Sequence, residues 1–260
     1  RQPVVEGRMI DQLYNLGCLE GMKEFIPDDS IDLTVTSPPY NIGIAYDTWA
    51  DTMPIASYWA FTKSWLEEVY RCLKPSGRIV LNCLYEANFK DNGGRVFVAG
   101  EFWRIMQDVG FNWAGLMDLK EIKPHRVKYS AWGSYCKPSA PYLYNPKECL
   151  IIAYKGNWKK EGDKTYEIPK DVFIECVSGE WNYNAVTKQL TKANFSEEIP
   201  EKAIQMLSYP GDIVMDPFLG SGTTCSVAFR LNRRYCGFEI SKNYWEIAAK
   251  RLEQQYLQTD

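Results

Sequence analysis

Five short apolar runs, each followed by a stretch with helical spacing, constrain this chain more than any other feature. "SIDLTVT" (30–36), "RIVLNCL" (78–84), "ECLIIAY" (148–154), "GDIVMD" (211–216) and "RRYCGFEI" (233–240) read as strands. Between and after them, 58–73, 96–110, 196–208, 223–232 and 243–257 carry apolar residues at helical intervals. The first of these helices stops at "KPSG" (74–77), where Pro75 and Gly77 act as breakers, and the second at Gly110. Ser196 suits the N-cap of the third, with acids in its first turn. Strand–helix alternation of this kind predicts an α/β fold: a mostly parallel sheet covered by helices. At 260 residues the chain is long enough for one large domain or a core with one insertion. Residues 118–147 and 156–192 break the rhythm and read as an elaboration attached to the sheet.

Totals remove several chemistries. There is one histidine, His125, so a histidine-built metal site or a Ser-His-Asp triad is not expected. The eight cysteines include no CxxC pair, and several lie inside strand-like or helix-like runs. They read as reduced, buried small hydrophobes, and no metal site is expected. No stretch approaches the length of a membrane span, and "RQPVVEGRM" at the start lacks an apolar signal core. Either the initiator is missing or Met9 lies near a natural start. A net charge of -3 means that a nucleic-acid partner would need a local basic face.

"IVMDPFLGSGTT" (213–224) is a strand, a tight glycine turn and a helix start. Gly220 and Gly222 allow close backbone approach to a ligand, and the helix N-terminus directs N–H groups at it. The next strand leads to Glu239, 23 residues beyond Asp216, where an acid suits a ribose diol. The third glycine of a dinucleotide fingerprint is absent, and Cys225 holds its place. Asp216 would repel a pyrophosphate but suits an ammonium group. S-adenosylmethionine carries an ammonium and a ribose and no phosphate. A glycine turn with no ligand is the plain alternative.

"TSPPY" (36–40) also ends a strand, at the rim where open α/β sheets gather ligands. Ser37 Oγ and the Pro38 carbonyl are acceptors for an exocyclic amine. Pro38 and Pro39 fix φ, which holds those oxygens in place. Tyr40 offers an aromatic face to a base turned out of a helix. A turn whose tyrosine merely packs on the core is the alternative.

Together "TSPPY" and "DPFLGSGTT" resemble the catalytic and cofactor motifs of DNA amino-methyltransferases. The catalytic motif comes first, which resembles the permuted β group of that family. "WLEEVYRCLKPSGRIVLN", "KECLIIAYKG" and "IPEKAIQMLSYPGDIVMDPFLGSGTT" support the likeness, which covers most of 15–257. It implies a Rossmann-like S-adenosylmethionine-dependent methyltransferase: a twisted, mostly parallel sheet with helices on both faces and a small target-recognition insertion. It divides the chain into a core (1–117 and 190–260) and a segment (118–189) holding one core strand near 148–155 plus the recognition elaboration. Ser37, Pro38, Pro39 and Tyr40 would hold the target base. Asp216, Pro217, Phe218, Gly220, Ser221, Gly222 and Thr223 would cradle the methionine end, with Glu239 on the ribose. "KANFSEEIP" (192–200) resembles the segment that closes over the methionine, which adds Asn194 and Phe195. The "GDC" that family members often carry near the start is here "LGCLEG", with Gly17 in the acid's place, and the histidine-containing form of the closing motif is missing.

A serine at the first catalytic position is typical of cytosine-N4 enzymes of this family; adenine-N6 transfer is the alternative. From Lys120 to Lys137 there are five Lys/Arg against one acid, Glu121, with aromatics interleaved. Lys120, Lys123, Arg126, Lys128, Trp132, Tyr135 and Lys137 are therefore candidates for contacting double-stranded DNA. An ordinary solvated loop is the alternative there. The likeness also implies a cytoplasmic prokaryotic or viral protein, a homodimer and a cognate restriction endonuclease. Methylation of a protein glutamine or of RNA, and a non-catalytic DNA-binding module, are the readings from other classes.

Overall fold

The structure is a computed structural model. It describes residues 9–49, 51–89, 94–122, 133–134, 136–143, 145, 147–184 and 196–259. Its centre is an eight-stranded sheet. In chain order the strands are β1 (Gln12–Tyr14), β2 (Ile31–Thr36), β3 (Leu73–Leu84), β6 (Asn112–Glu121), β7 (Glu148–Tyr154), β8 (Glu180–Tyr183), β9 (Ile213–Asp216) and β10 (Arg234–Phe238). A small antiparallel pair, β4 (Ala87–Phe89) and β5 (Gly94–Val96), stands apart from it. The helices are α1 (Cys18–Phe25), α2 (Ile55–Cys72), α3 (Val98–Val109), α4 (Lys170–Cys176), α5 (Glu198–Leu207), α6 (Thr223–Arg230) and α7 (Lys242–Thr259).

Across the sheet the order is β1-β10-β9-β2-β3-β7-β6-β8. β1, β10, β9, β2 and β3 run parallel. β7 is antiparallel to both β3 and β6, and β8 is parallel to β6. The first strand of the chain therefore lies beside the last.

Alternate residues of each central strand serve opposite faces. Ile79, Leu81 and Cys83 of β3 join Cys149, Ile151 and Ala153 of β7 in a core with α1, α2 and α3. Val80, Leu150 and Ile152 point the other way, into a second core with α5, α6 and α7. Residues apolar at both parities are what a strand covered on both faces requires. Trp65, Leu66 and Val69 of α2 and Phe102 and Met106 of α3 are fully buried in the first core. At about 1.5–3 kcal/mol for each large side chain, this apolar burial drives the assembly.

The segment 118–189 contributes more sheet than the single strand near 148–155. β6 and β8 extend the sheet, and Leu119, Cys176 and Trp181 lie in the second core. "KPSG" does not separate helix from strand. α2 ends at Cys72, and Leu73 to Gly77 already belong to β3 as an irregularity, with the register against β2 shifting between Ile31 and Leu33. Gly110 does cap α3 in the left-handed conformation, at φ 115°. Among the described residues no helix is long and apolar enough to cross a membrane.

β9 leads through α6 outward to β10, while β2 leads through α2 outward to β3. The connections thus leave in opposite directions on either side of the β9–β2 pair. A crevice at the carboxyl ends of these two strands is the expected ligand position in an open α/β sheet.

Candidate active site

The ends of β2 and β9 meet at that crevice. Thr36 Oγ1 donates a 2.7 Å hydrogen bond to Asp216 Oδ1, which also receives the Phe218 N–H at 3.0 Å. Asp216 is only 1% exposed. Burial pushes its carboxyl up from 3.8 to about 6, and the bonds from Thr36, Phe218 and Thr224 offset part of that rise. Its carboxylate thus joins the two strands from beneath the crevice rather than standing in the crevice wall.

Above this joint lies a cleft of about 1190 Å³, and both sequence motifs open into it: Ser37, Pro38, Pro39 and Tyr40 on one side, Pro217, Phe218, Gly220 and Glu239 on the other. The volume exceeds the range of about 300–1,000 Å³ usual for one small ligand, so it has room for a cofactor and part of a second substrate. Ser221, Thr223 and Gly222 stand behind the wall. Ser221 and Thr223 are buried, and a Cβ on Gly222 would lie 2.8 Å from that of Ala248 in α7. Gly222 (φ 80°) therefore serves helix packing. Gly220 (φ 53°) faces the cleft, and a Cβ there would meet only the Phe218 carbonyl, at 3.9 Å. Phe218 is held edge-on against Trp65, with ring centroids 5.2 Å apart.

Glu239 accepts the Gly220 N–H and the Ser241 N–H, each at 2.8 Å and each on a different oxygen. It fixes the glycine turn, and each oxygen keeps a second lone-pair site for a hydroxyl group. Burial raises its carboxyl above 4.5, with the N–H groups of Ser241, Gly220 and Ile240 pulling the other way. Ser196, Phe238, Ile240, Ser241 and Tyr244 complete this side. Asn194 and Phe195 lie outside the described residues.

On the other side, Ser37 Oγ and Tyr40 Oη are 3.1 Å apart. Asn82 Nδ2 lies 3.5 Å from Ser37 Oγ and donates to Glu148 Oε2 at 3.1 Å. Burial raises the Glu148 carboxyl above 4.5, and hydrogen bonds from Asn82 and Tyr40 partly offset the rise. The Tyr40 hydroxyl is pushed well up by burial and by the Glu148 charge. Tyr58 Oη occupies the Pro39 carbonyl at 2.9 Å, whereas no donor among the described residues reaches that of Pro38. The turn is thus fixed from behind and leaves one carbonyl and one hydroxyl for a ligand.

Asn82 and Glu148 escape a reading of motifs. Asn82 is a polar residue within an apolar strand run. Glu148 is the first residue of β7, and because β7 is antiparallel its start sits at the rim where β3 ends, opposite Leu84. A search confined to strand carboxyl ends passes it over.

Six acids line the cleft (Glu20, Asp47, Glu121, Glu148, Glu180 and Glu239) against two lysines, Lys120 and Lys147. This excess suits a cationic ligand and opposes a pyrophosphate. Lys120 pairs with Glu180 at 3.0 Å on the exposed side. Lys137 is exposed. Lys123, Arg126, Lys128, Trp132 and Tyr135 lie outside the described residues.

The sheet and the paired loops define a Rossmann-like α/β fold with both loops opening into one cleft at the switch point. Within that class the chain belongs to the DNA methylase family: the N6/N4 methyltransferase model, described as DNA methylase, matches residues 31–250. The Type II methyltransferase M.MjaVI of Methanocaldococcus jannaschii is 38% identical over 164 residues, 63% of this chain and 82% of that protein. M.BglII of Bacillus subtilis, also a Type II methyltransferase, is 31% identical over 257 residues, 94% of this chain and 69% of the relative. Two solved structures share the fold. One, described as a putative DNA modification methylase of Thermus thermophilus in complex with S-adenosyl-L-methionine, superposes with a TM-score of 0.73 at 23% identity, covering 94% of this chain and 93% of the other. The other, PvuII DNA methyltransferase (cytosine-N4-specific), gives 0.71 at 22% identity, covering 92% and 85%.

Proposed function

We propose that the chain transfers a methyl group from S-adenosylmethionine to the exocyclic N4 of cytosine in duplex DNA, with the target base turned out of the helix. One observation carries this reading: Ser37 with the Pro38 carbonyl, and Gly220 with Glu239, face each other across one cleft. The residues present fit the cofactor. Glu239 keeps acceptor sites for a ribose diol, Gly220 leaves room for close backbone approach, and the acidic lining suits positive charge. When bound, S-adenosylmethionine supplies an electrophilic methyl on a sulfonium.

The protein's part is to present the amine. Its lone pair is delocalised into the ring, and acceptors at Ser37 Oγ and the Pro38 carbonyl favour the pyramidal form that frees it. Pro38 and Pro39 fix those oxygens before the base arrives. A serine at the first catalytic position, typical of cytosine-N4 enzymes of this family, supports cytosine N4 over adenine N6. The order of the two motifs supports membership of the permuted β group. Lys120 and Lys137, with Lys123, Arg126, Lys128, Trp132 and Tyr135, are proposed to contact DNA as the recognition elaboration. The Type II relatives support a restriction–modification setting with a cognate endonuclease, and a homodimer is proposed by likeness to that group.

The test is labelled methyl transfer to a random-sequence duplex pool, followed by digestion to nucleosides and mass analysis. N4-methylcytosine is expected. N6-methyladenine alone would overturn the choice of base, and label transferred to protein or RNA and not to duplex DNA would overturn the substrate class. Ser37→Ala with unchanged turnover would remove the catalytic assignment.

A further inference from the structure

The proposed reaction leaves a proton to dispose of. An exocyclic amine that gains a methyl carries a positive charge until it loses one N–H proton. Ser37, in contact with that amine, is a neutral alcohol and a poor final resting place. The side chains behind Ser37 offer an exit.

We propose that Glu148 is the terminal acceptor of this proton, reached from the amine through the hydroxyls of Ser37 and Tyr40. This rests on the reading of function given above. The geometry gathers the groups at one place: Ser37 Oγ lies 3.1 Å from Tyr40 Oη, and Tyr40 and Glu148 line the same cleft, with Tyr40 among the groups that favour the charged form of the Glu148 carboxyl. Asn82 ties the same two ends together from the side, at 3.5 Å to Ser37 Oγ and 3.1 Å to Glu148 Oε2. Asn82 is itself 1% exposed, and the register of β3 against β7 sets its place beside Glu148.

The step balances. The nitrogen lone pair forms the new bond to carbon as the pair of the sulfur–methyl bond stays on sulfur. The N–H proton passes to Ser37 Oγ, the Ser37 proton to Tyr40 Oη and the Tyr40 proton to the Glu148 carboxylate, while the N–H electron pair returns to nitrogen. Ser37 and Tyr40 are neutral before and after. Glu148 ends as the neutral acid and returns its proton to water at the cleft.

The surroundings keep Glu148 basic. Tyr40 and Tyr46 face it from the loop after β2, Cys83 from β3 and Tyr183 from β8. Lys147 precedes it in the chain and also lines the cleft. No ion pair among the described residues holds the Glu148 carboxylate; the neighbouring Glu180 is taken by Lys120. Burial makes its charged form costly, so it takes up a proton more readily than an ordinary glutamate.

Single-turnover methyl transfer to the duplex pool should be followed from pH 5 to 9 for the parent, Glu148→Gln, Glu148→Asp and Tyr40→Phe, with cofactor and DNA binding measured separately. The expected result for Glu148→Gln is a loss of about 10²–10⁴-fold at pH 7.5, with both dissociation constants within about twofold of the parent. The parent's decline toward acid pH should be absent from that variant. Tyr40→Phe should lose rate in the same direction, and Glu148→Asp should lose less and keep the acid limb. A second readout needs no turnover. An infrared titration of the ligand-free protein should show a carboxyl above 4.5 that vanishes in Glu148→Gln and moves higher in Tyr40→Phe, which removes a bond favouring the charged form. A folded Glu148→Gln with the parent's rate and acid limb overturns the relay alone, as does a rate loss matched by lost DNA binding. A parent that methylates no DNA overturns the proposed function, and the relay with it.

Discussion

Asp216→Asn is expected to make the ligand-free protein more stable. The Asp216 carboxyl titrates at about 6 in the folded chain against an ordinary 3.8, chiefly because burial disfavours its charge. A raised folded-state value means that the native state holds the proton more tightly than the unfolded state does. The contribution of this group to stability is therefore greatest below pH 3.8 and is lost as pH rises from there to about 6. At about 1.36 kcal/mol per pH unit, that interval costs about 3 kcal/mol at neutral pH. Asparagine removes the charge and keeps an oxygen for Thr36 Oγ1 and the Phe218 N–H, while its NH2 can face Thr224. Urea unfolding should show a gain of about 2–3 kcal/mol at pH 7.5, shrinking to about 1 kcal/mol at pH 4.5. A variant less stable than the parent at pH 7.5, or a gain equal at both pH values, would refute the account of Asp216 as a charge held at a cost to the fold.

Three further outcomes follow from the same geometry. Gly222→Ala should cost about 1–2 kcal/mol for its left-handed backbone and about 1–3 kcal/mol more for the clash with Ala248, while Gly220→Ala should cost less stability and more cofactor affinity; thermal melts paired with calorimetry separate the two. Asp51 accepts the N–H groups of Asn41, Ile42, Gly43 and Ile44 at 2.7–3.1 Å. Asp51→Ala should cost about 1–3 kcal/mol for each of these that water cannot reach, and hydrogen exchange at 41–44 should accelerate by more than about tenfold. Lys160 and Asp32, 7% and 4% exposed, form a buried pair at the far end of β2. Burial alone would raise the Asp32 carboxyl, but Lys160 and Lys74 hold it below 3.8, so its contribution is present above that pH and lost as pH falls. Lys160→Met should cost about 3 kcal/mol near pH 7 and leave methyl transfer per folded molecule unchanged.

The strands β2, β3, β7, β9 and β10 were legible because each carries a largely apolar run, as strands covered on both faces require, and Gly110 marks the end of α3; Ser196 misleads by one place, since Glu197 is the N-cap of α5 and no side chain caps it. β1, β6 and β8 were not. β1 is only three residues long, and β6 opens with exposed residues, so neither carries an uninterrupted apolar run. "KPSG" misleads for a related reason: proline and glycine mark a break in regular pairing, and a bulge inside a strand is such a break as much as a turn is. In the site, the two loops were legible because each requires unusual backbone, two prolines in one and left-handed glycines in the other. The division of labour within them was not. Gly220 and Gly222 look alike in sequence, and only the position of Ala248 separates the cleft-facing glycine from the packing one. Asp216 carries the charge a cationic ligand calls for, yet its neighbours Thr36 and Phe218 draw it beneath the cleft. Glu148 was hidden by strand direction, which no local pattern encodes.

The two loops are also joined by a means the motifs do not suggest. The segment following "TSPPY" is folded back on Asp51, and from that fold Asp47 accepts Ser241 Oγ at 2.7 Å and Asn243 Nδ2 at 2.9 Å. Ser241 in turn gives its N–H to Glu239, the residue that fixes the Gly220 turn. The rim that would hold the amine and the turn that would hold the methyl donor are thereby linked above the cleft through Asp47 and Ser241. Below it they are linked through Thr36 and Asp216. A transfer between two bound molecules depends on their relative placement, where about 1 Å of error can cost about 100-fold. Tying the loops at two levels removes the shear that a single joint would allow. Under the proposed function, Asp47 would act on the distance between the two ligands rather than on the chemistry of either one.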